Sequence, residues 1–65
     1  MIEINTLRRI VINRQFEEID GRIIDIQTAN LLVKIHDALD PDRQQKLMQL
    51  DIAQATNFAW KVAFK

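Results

Sequence analysis

From residue 41 to residue 65 the chain contains neither a glycine nor a second proline. Helix is the form such a stretch takes most readily, because both strong helix breakers are missing. Its start is marked by Asp40-Pro41-Asp42. The Asp40 carboxylate can accept a hydrogen bond from a free first-turn N–H. Pro41 suits the first helical position, where its missing N–H costs nothing. Asp42 adds negative charge at the positive end of the helix dipole.

Wound at about 100° per residue, residues 41–65 gather Leu47, Met48, Ile52, Ala55, Phe58, Ala59, Val62 and Ala63 into one broad apolar stripe. Leu50, Ala53, Trp60 and Phe64 fall on roughly the opposite side. Two stripes require two neighbours. Either the helix is sandwiched within one chain, or its second side faces a partner. Trp60 and Phe64 are four residues apart and share a helix face. Trp is enriched at interface hot spots. The expected partner surface is therefore Trp60, Phe64, Ala53 and Leu50.

Asp51 interrupts this picture, since a continuous helix would place it inside the main stripe. The alternative is a break, with Asp51 capping a further helix. Asp51 and Gln54 have capping-box spacing. One long helix and two shorter ones both remain open, and the two-stripe reading is firm only from about Ile52 onward.

Upstream, Asp20-Gly21 marks a chain reversal. Asp-Gly is a favoured two-residue hairpin loop. It would join residues 16–19 to residues 22–24, unless Gly21 instead ends a first helix at its C′ position. Residues 1–19 are ambiguous. Asn5 or Thr6 can cap a helix running to about Glu18, yet Ile10-Val11-Ile12 is β-branched and favours strand. Helix is the preferred reading. The next helix is clearer, capped by Asp25 or Thr28 and running to about Leu39. Leu31, Leu32, Ile35, Ala38 and Leu39 form its apolar stripe, with Asn30, Lys34 and Asp37 on the solvated side.

These elements predict a mainly α fold. It is one domain over residues 1–65, with three helices, or four if the last breaks near Asp51, and a turn or short β-hairpin at Asp20-Gly21. At 48% hydrophobic content the chain is no disordered tail. At 65 residues it is near the lower limit for independent folding. A core this small rarely yields more than about 3–5 kcal/mol without a staple. Without cysteine there is neither a disulfide nor a thiolate metal site. Oligomerisation is the remaining common remedy.

The candidates for chemistry are few. His36, the only histidine, stands four residues before Asp40, but a metal site needs more ligands than this pair. Asp40-Pro41-Asp42 begins like a calcium loop, yet Gln45 and Asp51 occupy the places of the required Gly and Glu. Glu17, Glu18, Asp20 and Asp25 cluster around the turn without a cleft to shift their pKa values. A single glycine excludes a Gly-rich phosphate loop. No catalytic residue, metal or cofactor is expected, and the chain is not expected to be an enzyme.

Charge bears on partners. Nine basic and nine acidic residues balance, so a basic nucleic-acid footprint is absent overall. Arg8, Arg9, Arg14 and Arg22 gather in the first third, but a helix would spread the first three around its axis. No apolar run approaches the ~20 residues of a membrane span. Charged and polar residues interrupt the N-terminal segment, so it lacks the apolar core of a signal peptide. A cytoplasmic location is expected. The leading expectation is a self-associating protein-interaction module that docks on or inhibits another protein. The alternative is a compact helix-turn-helix-like DNA-binding regulator, resting on fold analogy alone.

Overall fold

The computed structural model describes residues 2–63. Among these residues the fold is mainly α, with four helices and one hairpin. In chain order these are α1 (Ile4–Asn13), β1 (Glu17–Ile19), β2 (Arg22–Ile24), α2 (Ile26–Ala38), α3 (Pro41–Gln49) and α4 (Ile52–Ala63).

The first helix begins earlier and ends sooner than its sequence suggests. Neither Asn5 nor Thr6 caps it. Glu3 occupies the N-cap position and makes no side-chain capping bond. The helix stops at Asn13, not near Glu18, because Arg14 turns into the left-handed region at φ 54°. Glu17–Ile19 is thereby freed to form the hairpin. Asp20 at φ 51° and Gly21 at φ 80° give two consecutive positive φ angles, the geometry a type I′ hairpin turn requires. The register pairs Glu17 with Ile24, Glu18 with Ile23 and Ile19 with Arg22. Ile24 is buried, and so its neighbour Ile23 faces outward.

Three carboxylates start the remaining helices. Asp25 accepts from the Thr28 amide at 2.7 Å, and Asp40 accepts from the Arg43 amide at 2.9 Å. Asp51 accepts from the Gln54 amide at 2.8 Å, while the Gln54 side chain accepts from the Asp51 amide at 3.4 Å. That reciprocal pair is a capping box. Residues 41–65 therefore contain a break. Leu50, at ψ 155°, leaves helical geometry, and Asp51 restarts it. The side chain of Gln44 donates to the His36 carbonyl at 2.9 Å, satisfying one of the free carbonyls at the end of α2.

The buried apolar residues form one cluster. It comprises Ile2, Leu7, Ile10, Ile24, Ala29, Leu32, Leu47, Ile52, Ala55 and Ala59. The central element is α2, which packs on α1 and α4 and touches α3 more lightly. The Ile2 amide donates to the Met48 carbonyl at 2.8 Å, tying the start of the chain to α3. In α2, Leu32 is buried while Leu31, Ile35 and Leu39 are half-buried and Ala38 is exposed. The core face instead continues to Thr28 and Ala29.

In α4 the expected core stripe is only partly correct. Ile52, Ala55 and Ala59 are buried, whereas Phe58 and Val62 are 43% and 45% exposed. Ala63 is exposed as well. The buried arc of α4 is centred on Ala55 and Ala59, and Phe58 lies about 100° from Ala59 on the helical wheel, outside that arc. Val62 and Ala63 lie near its edges but in the last turn, beyond Ala59, the last buried residue of the helix.

Candidate functional site

The apolar surface left open on α4 belongs to a larger feature. Leu39, Leu47, Leu50 and Phe58 line a groove of about 260 Å³, with Arg43 and Lys46 beside them. Each element places its residue for a local reason. Leu39 is where α2 stops, before the Asp40 cap. Leu50 is where α3 stops, before the Asp51 cap. Both therefore sit at corners of the chain, where side chains are only partly covered. Arg43, Leu47 and Leu50 recur at helical spacing on one side of α3. Leu47 is 4% exposed and makes the floor. Val62 follows Phe58 by one helical turn and extends the apolar stripe along α4.

The groove also has a sign. Among the described residues, Arg43 and Lys46 take part in no ion pair. Their charges are free to meet a ligand, with their aliphatic stems beside the leucines.

The residues singled out in the sequence are distributed differently. Leu50 lines the groove. Ala53 and Trp60 are half-buried on the other flank of the α4 core arc. Phe64 lies outside the described residues. Sequence reasoning missed Phe58 and Val62 as surface residues, and did not single out Arg43 and Lys46. The signal for the cations was present in the spacing of Arg43, Lys46, Leu47 and Leu50. It needed the break at Leu50-Asp51 to bring Phe58 to the same place.

The basic residues of the first third do not form a free patch. Arg8 makes two hydrogen bonds to Asp37, at 3.1 and 2.6 Å. Arg9 makes two to Glu17, at 2.8 and 2.7 Å. Such forked pairs neutralise the charge and fix its direction. The Arg8 bonds, with a contribution from His36, hold the Asp37 carboxyl down at about 2. The Arg9 bonds lower Glu17, and the capping bonds from Thr28 lower Asp25.

His36 is directed at Asp37, its Nδ1 3.1 Å from the carboxylate, not at Asp40. No group of three or more His, Cys, Asp or Glu is placed to hold a metal ion among the described residues. No described helix is long and apolar enough to cross a membrane. A second recess is lined by Val11, Arg14, Ile26, Gln27 and Asn30, a more polar set. A third apolar surface is the outer side of the hairpin, where Phe16 and Ile23 are each 66% exposed.

No protein-family profile, no curated protein and no solved structure matches this chain.

Proposed function

We propose that this chain is a protein-interaction module that self-associates and acts by docking on or inhibiting another protein. The observation that carries this reading is the groove of Leu39, Leu47, Leu50 and Phe58, continued along α4 by the exposed Val62. Contiguous exposed apolar surface with a polar rim is how a soluble domain presents a protein-binding site. The small core gives the same direction, because association is a common way for a chain of this size to gain stability.

Leu50 keeps its expected role as a contact residue. Phe58 and Val62 join it as the large exposed apolar side chains of α4, while Trp60 and Ala53 flank the other side. The DNA-binding alternative gains no support from Arg8 and Arg9, since both are paired with carboxylates.

Light scattering across a concentration series tests the self-association. The expected result is a mass above the 7.6 kDa of one chain, falling to that value for Phe58→Asp with the helical circular dichroism retained. A wild-type chain that stays at 7.6 kDa at every concentration contradicts the reading.

A further inference from the structure

Two of the exposed apolar surfaces among the described residues have charged neighbours of opposite sign. The groove is flanked by Arg43 and Lys46. The outer hairpin surface presents Phe16 and Ile23, and Glu18 shares its face because the register pairs Glu18 with Ile23. Asp20 is exposed in the turn, and Arg22, also exposed, lies on the opposite face of β2 from Ile23. Among the described residues neither Glu18 nor Asp20 takes part in an ion pair.

We infer that the groove of one copy receives the hairpin of a second copy, with the side chains of Phe16 and Ile23 against Leu47, Leu50 and Phe58, and Glu18 and Asp20 facing Arg43 and Lys46. This rests on the self-association proposed above and adds how the copies meet.

Three observations carry it. The first is charge. The charged residues lining the groove are Arg43 and Lys46, and Glu18 shares the face of Ile23. Like charges placed together across an interface are disfavoured, and opposite charges fix register. Pairing groove with hairpin sets these opposite charges together. The second is size. At about 260 Å³ the groove is several times the ~30 Å³ share of one water, enough to admit apolar side chains. The third is that Phe58 at the groove and Phe16 and Ile23 on the hairpin are exposed within the chain, so each remains available to another copy.

Two assemblies satisfy this contact. Two copies can exchange it about a two-fold axis, each hairpin in the other's groove, or copies can join head-to-tail into a ring or a filament. The mass of the wild-type assembly distinguishes the two.

Mixing two blocked variants tests the arrangement. Phe16→Ser with Ile23→Ser removes the apolar hairpin surface and leaves the groove. Phe58→Asp blocks the groove and leaves the hairpin. Each variant alone should lose self-affinity about tenfold or more, as when a central contact is removed. Mixed, they should form a 1:1 dimer that grows no further, because one intact hairpin meets one intact groove. Circular dichroism checks that each variant folds. Should either fail to fold, Arg43→Glu with Lys46→Glu replaces the groove variant, and Glu18→Lys the hairpin variant. If either folded variant associates as the wild type does, the surfaces are misassigned. If both are monomeric and stay so when mixed, the groove of one copy does not receive the hairpin of another and the inference is overturned, while self-association stands. A monomeric wild type overturns both.

Discussion

Leu32 and Phe58 are both large apolar residues on helices that pack against each other, yet Leu32 is fully buried and Phe58 is 43% exposed. The difference is in their neighbours. Leu32 lies on α2, which has α1 and α4 against it, and Leu7 and Ile10 of α1 are fully buried too. On α4 the residues in the core are Ile52, Ala55 and Ala59. Alanines allow helices to approach closely, since interaxial distance depends on the side chains between them. Ala29 of α2 is likewise fully buried. Phe58, on the flank of this arc, stays outside it. One side of the domain is thus closed by large side chains, and the other is joined by small ones beside an open groove.

The sharpest way to break this contrast is to truncate both residues. Leu32→Ala should cost about 2–5 kcal/mol, the usual range for a buried leucine, and threatens folding in so small a domain. Leu31→Ala, at a half-buried site, should cost distinctly less. Phe58→Ala should cost the monomer less than about 1.5 kcal/mol, because much of its surface already meets water. Chemical denaturation at low protein concentration reads all three. Equal losses for Leu32→Ala and Phe58→Ala would abolish the distinction between closed and open sides.

The corner between α3 and α4 should respond next. Asp51→Ala removes one member of the capping box and should destabilise the fold by about 1 kcal/mol. Asp40→Ala should cost a similar amount at the start of α3. Thermal melts measure both. If Asp51→Ala is silent, the cap does not define the corner that brings Leu50 and Phe58 together.

A smaller gain is expected at Arg14, which occupies the left-handed region at φ 54°. Arg14→Gly relieves that strain and should stabilise the closed side by about 0.5–1 kcal/mol, after allowance for the extra freedom of glycine when unfolded. A loss of stability would mean that the Arg14 side chain contributes more than its backbone conformation costs.

The Arg8–Asp37 pair joining α1 to α2 is exposed, and its effect should be the smallest. The Asp37 value is depressed from 3.8 to about 2. Its contribution is therefore present above 3.8 and lost as pH falls through about 2. Asp37→Asn should flatten that part of the acid-unfolding curve and leave the rest unchanged. An identical curve for the variant would show that the pair adds nothing to stability.

Much of this architecture can be read from single residues. Asp40-Pro41 and Asp51 with Gln54 announce helix starts because capping is local chemistry. Asp20-Gly21 announces the hairpin because few residue pairs adopt two positive φ angles easily. The end of α1 was not legible, since Arg14 is an unusual residue for a left-handed cap and Phe16–Ile19 carries no breaker. Nor was the exposure of Phe58 and Val62. Helical periodicity identifies which residues share a side, but it does not say how wide an arc the neighbour covers. The groove depends further on the angle between α3 and α4, set by the backbone at Leu50. Of the residues lining it, Leu50 alone is a contact residue expected from the sequence.

The central claim is that the open side, not the closed one, mediates association. Amide chemical shifts recorded on dilution of labelled protein address it residue by residue. The changes should concentrate at Leu39, Arg43, Lys46, Leu50, Phe58 and Val62, with Phe16, Glu18 and Ile23 responding in parallel, while Leu7, Ile10, Ala29 and Leu32 stay fixed. Shifts that do not depend on concentration, or that move at Ala53 and Trp60 while Phe58 and Val62 stay still, would contradict it.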